Sequence, residues 1–229
     1  MTNSILSILI PVYNKWNYTK SCLNALAQLP NDHQIIVFDN GSSDETKEEL
    51  QKWNLHPNFK YIRSETNGGF AFAINRAYEQ SNAPNIMMLN NDIRIKSDYS
   101  TWTQKLIDKC ENALVGPTMG ELDKDFNFVR ETNKQLINKY SYLSGWCLAG
   151  SKTIFNKLKI NNYVGPLSEE FFCYFEDSDL GFRSHQQKIP LNIVEIPVVH
   201  FGKVSSKQLN TGQLYLNAQK IFRNKWKNY

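Results

Sequence analysis

The sequence predicts an α/β protein whose sheet is mostly parallel and flanked by helices. Three apolar runs stop abruptly at polar clusters: ILIPVYN at 8–14, IIVFDNGSSDET at 35–46 and MLNNDI at 88–93. A continuous apolar run is typical of a parallel strand that is buried on both faces. Because ligands of open α/β sheets bind beyond the carboxyl ends of the strands, the polar clusters predict one shared crevice.

The first half of the chain alternates between strand and helix patterns, which predicts right-handed crossovers. Strands are predicted at 5–12, 34–39, 59–63 and 85–90. A helix is predicted at 16–29, where Pro30 ends it. Ser42 or Ser43 is expected to cap a second helix that reaches about residue 55, with Asp44 and Glu45 in its first turn. Gly68 and Gly69 open a third helix.

The pattern changes after about Pro117. Residues 121–139 are predicted to be polar loop with a short strand, and the remaining elements are strands at 142–149 and 193–200 and helices at 152–158, 176–187 and 208–226. Each half alone would leave a sheet face uncovered. We therefore predict a single domain over residues 1–229, made of two lobes at 1–117 and 118–229.

Composition narrows the class of protein. The 229 residues are 41% hydrophobic, which is ample for a core, and the net charge of +4 suits an anionic ligand without the dense basic stripe of a dedicated nucleic-acid binder. No signal-peptide pattern opens the chain, and no apolar stretch approaches the roughly 18 residues of a membrane span. The four cysteines are widely spaced and predict reduced thiols in a cytoplasmic protein.

Several polar clusters allow both a structural and a chemical interpretation. Asp39 with the following Asn-Gly-Ser-Ser can be a turn with a helix cap, and the acidic stretch at 176–179 can be the first turn of a helix. Asn90-Asn91-Asp92 can be a capped strand end, yet its oxygen atoms also suit a divalent cation. His200, at the end of a predicted strand, can be structural or a metal ligand.

These segments, taken in order, resemble the family-2 glycosyltransferases with the GT-A fold, and the resemblance runs from about Ser4 to Trp226. The Asn-Gly-Gly-Phe-Ala stretch at 67–71 is similar to the rhamnosyltransferase-like branch. The resemblance implies a nucleotide-sugar-binding lobe at 1–117 and an acceptor-binding, catalytic lobe at 118–229. It implies that Asp39 accepts the ring N–H of a uracil or thymine. The full implied donor-binding set is Pro11, Tyr13, Asn14, Asp39, Asn67, Gly68, Asn75, Asn91 and Asp92.

The same resemblance assigns the chemistry. Asp177 is expected to deprotonate the acceptor hydroxyl, while Glu176 and Trp146 bind the acceptor. Asp92 and His200 are expected to hold Mn²⁺ or Mg²⁺ on the donor diphosphate. Asn90-Asn91-Asp92 departs from the DxD pattern of this fold because it offers a single carboxylate, which leaves the cation with fewer protein ligands.

The sequence thus predicts an inverting glycosyltransferase that moves a sugar from a UDP- or dTDP-linked donor to an acceptor hydroxyl, in glycan or cell-surface polysaccharide synthesis. The donor sugar is left open, with a deoxy-sugar, hexose or pentose favoured by the resemblance. Three alternatives remain. They are the same chemistry on a hydroxylated DNA base or a protein, a non-catalytic nucleotide- or sugar-binding protein, and a nucleotidyltransferase, whose glycine- and arginine-rich first loop is replaced here by PVYNK at 11–15.

Overall fold

A computed structural model of the chain describes residues 4–96, 101–160, 162–202 and 210–229. The strands are β1 (Leu6–Val12), β2 (His33–Asn40), β3 (Phe59–Ser64), β4 (Asn85–Leu89), β5 (Ile93–Ile95), β6 (Leu114–Gly116), β7 (Met119–Leu122), β8 (Phe128–Thr132), β9 (Ser141–Leu143), β10 (Cys147–Ser151), β11 (Leu191–Ile193) and β12 (Val198–His200). The helices are α1 (Trp16–Leu26), α2 (Thr46–Lys52), α3 (Phe70–Glu79), α4 (Trp102–Ile107), α5 (Lys152–Leu158), α6 (Glu176–Gln186) and α7 (Thr211–Trp226).

The central sheet confirms the predicted fold class. Its seven strands follow the order β11-β6-β10-β4-β1-β2-β3, and all neighbours pair in parallel except β10, which is antiparallel to β4 and β6. Strand β10 and strand β11 lie beyond Pro117, so both predicted lobes contribute strands to this one sheet. The described residues form two further sheets, one of order β8-β7-β9 and one in which β12 pairs with β5.

Both faces of the central sheet are covered, which explains the unbroken apolar runs. Along β1, Ile8 and Ile10 pack into the cluster that contains α1 and α4, whereas Leu9 packs into the opposite cluster with α3 and α5. Alternate side chains of a strand point to opposite faces, so a strand covered on both sides needs apolar residues at every position.

Several predicted boundaries change in the structure. The predicted strand at 142–149 is two strands, β9 and β10. The strand conformation is interrupted at 144–146, and the two strands belong to different sheets. Of the predicted strand at 193–200, only residue 193, the last of β11, and the three residues of β12 are strand in the structure. Neither Ser42 nor Ser43 caps α2, which begins after Glu45 and ends at Lys52. The first two residues of the predicted helix at 208–226 lie outside the described residues.

The sequence pattern missed three short elements, β5, α4 and β6. Each is three to six residues long, too short for periodicity to reveal it. Strand β5 matters for the site because it pairs with β12 and places His200 opposite Ile93, one residue beyond Asp92. In the described part of the chain, no helix has the length and apolar character that crossing a membrane requires.

Candidate active site

A cleft of about 330 Å³ opens at the carboxyl ends of β1 and β4. One wall, here called the strand-end side, includes Pro11, Tyr13, Asn67, Asn91 and Asp92. The facing wall, here called the helix side, includes Phe128, Glu131, Tyr142, Tyr174, Glu176 and Asp177. Trp146 and His200 also line the cleft. Of the polar residues that end the apolar runs, Asn40, Asn91 and Asp92 line this cleft, whereas Asn14 and Asp39 do not.

Asn14 joins β1 to the turn after β2. Its side-chain Oδ1 accepts a hydrogen bond from the backbone N–H of Ser43 at 2.7 Å, and its own backbone N–H donates to Ser42 Oγ at 2.7 Å. Asn14 and Lys15 both adopt left-handed backbone angles, with φ of 56° and 62°. Asn14 does not line the cleft, whereas the neighbouring Pro11 and Tyr13 do. Its side chain shapes the strand-end side rather than facing a ligand.

Asp39 is completely buried and already occupied by protein donors. Oδ1 accepts from the backbone N–H of Ser42 at 2.8 Å, and Oδ2 accepts from the Tyr61 hydroxyl at 3.1 Å and from Arg63 Nη1. Arg63 Nη2 also donates to the Ser42 carbonyl at 3.0 Å. Asp39 does not line the cleft. The predicted direct contact with a base is thus absent from this arrangement, because Arg63 and Tyr61 cover the carboxylate.

The Asn-Gly-Gly turn before α3 is held by Asn40. The Asn40 amide donates to Asn67 Oδ1 at 2.7 Å, and its Oδ1 accepts from the backbone N–H of Gly68 at 3.0 Å. Gly69 has a φ of +92°, and a Cβ there would lie 2.3 Å from the Phe172 carbonyl oxygen. Asn67 and Gly69 line the cleft, but Gly68 does not. Glycine is needed at 69 for close approach of the two backbones.

Asn75 is a correction to the predicted donor set. It is fully buried on α3, where its amide donates to the Leu167 carbonyl at 2.8 Å and to Glu169 Oε1 at 2.9 Å. Its Oδ1 accepts from the Leu167 N–H at 3.0 Å. These bonds satisfy the amide completely and anchor the loop before α6. Asn75 therefore does not line the cleft, because α3 directs it into the interior.

Asp92, His200 and Asn90 converge on the strand-end side. His200 Nε2 lies 2.9 Å from Asp92 Oδ1 and 3.1 Å from the Asn90 amide nitrogen, and Asn90 Oδ1 is buried without a hydrogen-bond partner. One ring nitrogen cannot both donate to Asp92 and accept from Asn90. Asn91, by contrast, donates to Thr19 Oγ1 at 2.8 Å.

This donor set fits a divalent cation. The described residues contain no cluster of three His, Cys, Asp or Glu side chains, so a cation here would have one carboxylate and one imidazole from the protein. Asn90 turns its amide nitrogen towards His200 Nε2, so its unpartnered oxygen would become a ligand only if the amide turned over. Mn²⁺ and Mg²⁺ prefer such oxygen ligands.

Trp146 orients His200. The two rings stack with centroids 5.0 Å apart and an interplanar angle of 11°. The indole N–H is in turn held by Thr118 Oγ1 at 2.8 Å and Glu131 Oε1 at 3.0 Å. Trp146 lines the cleft but is only 8% exposed, and His200 covers one face of its ring. The Trp146 ring, which is predicted to bind the acceptor, therefore has at most its edge and one face available for contact with a sugar.

Asp177 and Glu176 begin α6 on the helix side. Two residues with left-handed backbone angles, Tyr174 and Phe175, precede them with φ of 73° and 67°. Such pairs are costly and cluster at functional sites. Asp177 Oδ2 accepts from the backbone N–H of Gly145 at 3.0 Å, and Oδ1 accepts from that of Ser178 at 2.7 Å. A Cβ at residue 145 would lie 3.2 Å from the Asp177 Cβ, so glycine permits this contact.

The two carboxyls are electrostatically unusual. Burial raises the pKa of Glu176, and the negative charge of Asp177 raises it further. Burial also raises the pKa of Asp177, while the hydrogen bonds from Gly145 and Ser178 oppose that shift. Glu176 Oε2 is buried without a hydrogen-bond partner. Adjacent carboxyls with raised pKa values in a cleft are typical of a functional site.

Sequence reasoning missed the contribution of the β7–β8 hairpin. Phe128 and Glu131 of β8 and Tyr142 of β9 all line the cleft. Residues 121–139 were predicted to be mostly loop, and no motif marks Glu131 or Phe128. Only the pairing of β7 with β8 and β9 brings them to the helix side.

The fold and the site together define a sugar-transferring enzyme of the GT-A class. The Glycosyl transferase family 2 model matches residues 7–164. The chain belongs to this family, which confirms the predicted family and the predicted enzyme class. The finer resemblance to the rhamnosyltransferase-like branch stays a prediction.

Named relatives differ widely in how much of them the chain covers. The low-salt glycan biosynthesis hexosyltransferase Agl10 of Haloferax volcanii is 22% identical over 96% of this chain and 74% of its own length. The hyaluronan synthase of Pasteurella multocida is 34% identical over 90% of this chain, which spans only 21% of that protein. The solved structure of GalNAc-T7 with UDP, GalNAc and Mn²⁺ has a TM-score of 0.67 at 14% identity, covering 86% of this chain and 43% of that one.

Proposed function

We propose that this chain is an inverting glycosyltransferase that moves a sugar from a UDP- or dTDP-linked donor to an acceptor hydroxyl in glycan or polysaccharide synthesis. A single observation carries the proposal. One cleft contains Asp92, Asn90 and His200 on its strand-end side and a carboxylate with a raised pKa on its helix side. Two relatives whose names refer to glycan synthesis, Agl10 and hyaluronan synthase, support the assignment to glycan or polysaccharide synthesis. The predicted cytoplasmic location belongs to the same proposal.

Asp177 is the proposed base. The acceptor hydroxyl attacks the anomeric carbon, its proton passes to Asp177, and the bond from that carbon to the diphosphate oxygen breaks. The Gly145 and Ser178 N–H groups fix the carboxylate before the reaction, at 3.0 and 2.7 Å. A base with a raised pKa is better matched to a neutral operating pH than an ordinary aspartate. We expect activity to rise as pH increases through the raised pKa of Asp177.

Asp92, His200 and the Asn90 Oδ1 are the proposed ligands of Mn²⁺ or Mg²⁺. These residues would hold a cation that would supply positive charge to the leaving diphosphate. Trp146 keeps the His200 ring in the required orientation by stacking on it. Asp92 lies 2.9 Å from the same ring nitrogen, so the two ligands are preorganised by their own contact.

Binding of a pyrimidine base by Asp39 requires side chains around its carboxylate to move. Asp39 can accept a ring N–H only after Arg63 leaves its Oδ2. Arg63 is the more movable partner because its side chain is 17% exposed and comes from the outermost strand, β3. We therefore expect Arg63 to change its partner when a nucleotide binds, while the Ser42 N–H continues to hold Oδ1.

The deciding experiment is isothermal titration of UDP and of dTDP, each with and without Mn²⁺, into the wild type and into Asp92→Ala. Binding of either nucleotide should strengthen with Mn²⁺ in the wild type, and the Mn²⁺ effect should fall by about 10- to 100-fold in the variant. Asp108→Ala, which removes a carboxylate at the end of α4, is the control and should behave as wild type. Failure of both nucleotides to bind under every condition would contradict the proposed function.

A further inference from the structure

We propose that the acceptor of this enzyme is an uncharged carbohydrate, and that the helix side of the cleft selects against uronate, sulfate, phosphate and nucleic-acid acceptors. The inference rests on the proposed function, because it concerns the acceptor of that same transfer. It follows from three properties of the helix side, which are its charge, an unsatisfied buried oxygen and its aromatic surface.

The charge of the helix side is negative. Glu131 and Asp177 line it and supply this charge, whereas the raised pKa of Glu176, about 8, favours its uncharged form near neutral pH. Glu131 and Asp177 are close enough that the charge of Glu131 raises the pKa of Asp177. Of the cleft-lining residues in the described ranges, none on either wall is lysine or arginine. A negatively charged acceptor would therefore meet like charges in a partly desolvated cleft, with no described cation to offset them.

The net charge of +4 does not change this balance, because the basic residues near the cleft face elsewhere. Arg63 is paired with Asp39 beneath the strand-end side. Arg130 of β8 pairs with Glu121 of β7, 2.7 Å from its Oε2. Arg223 of α7 donates to the Asp125 carbonyl at 3.0 Å. These three arginines are therefore engaged outside the cleft.

A buried oxygen on the helix side lacks a partner. Glu176 is 7% exposed, lines the cleft, and its Oε2 makes no hydrogen bond. Buried polar atoms are nearly always hydrogen-bonded, and an unsatisfied one costs about 1–3 kcal/mol. A sugar hydroxyl supplies both a donor and an acceptor, so it can satisfy this oxygen in either protonation state of the carboxyl. A phosphate or a carboxylate could do so only with the protonated form.

The aromatic surface of the helix side suits a sugar ring. Phe128 is 50% exposed although it is a large apolar residue, and Tyr142 and Tyr174 line the same wall. Sugar rings present C–H faces that pack on aromatic rings while their hydroxyls point outward to polar groups. The combination of aromatic faces with carboxylates therefore matches a neutral polyhydroxy acceptor. It also disfavours the DNA acceptor left open by the sequence.

The test uses the full chain with saturating UDP and Mn²⁺ on an array of neutral, uronate-, sulfate- and phosphate-bearing oligosaccharides. Bound glycans should be neutral at the terminal sugar. For the best of them, titration should be repeated after oxidation of the terminal hexose at C6 to the uronic acid, which adds one charge to the same ligand. We expect the oxidised form to bind at least about tenfold more weakly.

Two matched pairs of variants assign that discrimination to the helix side. Glu131→Gln should reduce the difference between the neutral and oxidised ligands to about threefold, whereas Glu121→Gln on the adjacent strand should leave it unchanged. Phe128→Ala should weaken the neutral ligand by about three- to tenfold. Val129→Ala, also half exposed but on the opposite face of β8, should not.

The outcomes separate this inference from the proposed function. UDP binding without any glycan binding would overturn the acceptor assignment and leave the donor proposal intact. Array signals concentrated on anionic glycans, or equal affinity for the neutral and oxidised ligands, would overturn the inference as well. Loss of UDP binding itself would instead contradict the proposed function.

Discussion

The two walls of the cleft are built differently. On the strand-end side, the side-chain oxygens of Asn14, Asp39 and Asn40 each accept a hydrogen bond from a backbone N–H of a neighbouring turn. These bonds hold the surface of that wall in a preformed shape. Each wall also has one buried oxygen without a hydrogen-bond partner, Asn90 Oδ1 and Glu176 Oε2, and one pair of consecutive residues with left-handed backbone angles. The helix side differs because its oxygen belongs to one of two adjacent carboxyls whose pKa values are raised. Satisfied networks give rigidity, whereas unsatisfied charges in a strained segment cost stability and are retained at functional sites. The difference indicates that the proposed proton transfer belongs to the helix side, while the proposed cation ligands belong to the strand-end side.

The strongest way to test this contrast is Asp177→Asn. We expect turnover to fall by about 10²- to 10⁴-fold, because the amide cannot accept the acceptor proton. Nucleotide affinity should stay near that of the wild type, since the site proposed for the cation lies on the other wall. Steady-state kinetics and titration calorimetry measure the two quantities. Asp125→Asn, an exposed residue of the β7–β8 hairpin, is the control, and equal loss of nucleotide binding in Asp177→Asn would contradict the division of roles.

Asn75→Ala tests a residue that the sequence predicts to bind the donor but that the structure buries, with hydrogen bonds to the loop before α6. Its removal leaves the Leu167 N–H and carbonyl without partners in a buried place. We expect the free energy of unfolding to fall by about 2 kcal/mol. The dissociation constant for nucleotide should be unchanged at a temperature where the variant is folded. Asn82→Ala at an exposed position is the control, and loss of nucleotide binding without loss of stability would return Asn75 to the donor site.

The smallest effect concerns the cost of burying Glu176. Since its folded-state pKa is raised, the folded protein binds more protons than the unfolded chain between the ordinary carboxyl pKa and the raised one. The free energy of unfolding should therefore fall as pH rises through that window. Glu176→Gln removes this dependence. We expect equal stability at about pH 4 and a variant more stable by about 1 kcal/mol or more at about pH 9, because one pKa unit corresponds to about 1.4 kcal/mol.

Denaturant unfolding of both proteins across this pH range measures the difference. Glu170→Gln, in the loop before α6, serves as a comparison because its carboxyl is half exposed. If Glu176→Gln lost stability at every pH, Glu176 would be an ordinary structural residue. The proposed contrast between the two walls would then weaken.

Most of the strand-end side was predictable because its residues follow one another along the chain. Asp92 follows β4 directly, and Pro11 and Tyr13 lie at the end of β1. Their position at the carboxyl edge of a parallel sheet follows from the apolar runs that precede them. The predicted donor-binding residues that do not line the cleft are Asn14, Asp39, Gly68 and Asn75. Asp39 and Asn75 have partners more than twenty positions away, on β3 and in the loop before α6.

The helix side was predictable only in part. Glu176 and Asp177 were found through their motif, whereas Glu131 and Phe128 have no motif and reach the cleft through the pairing of β7 with β8. The stacking of Trp146 on His200 also has no sequence signal, and its predicted contact with the acceptor stays a prediction. Strand pairing and ring stacking between distant segments depend on which surfaces come together in the fold. The residue pattern within one short segment does not contain that information.

By itself, the sequence determined the fold class, the family and the edge of the sheet at which ligands bind, because burial on both faces imposes unbroken apolar runs that end where the site begins. Only the tertiary structure decided which side chains are free to act. It paired Asp39 with Arg63, turned Asn75 into the interior and left Glu176 Oε2 without a partner. The reason is physical: residue type fixes which hydrogen bonds a side chain can make, but the packing of distant segments fixes which of them are already made.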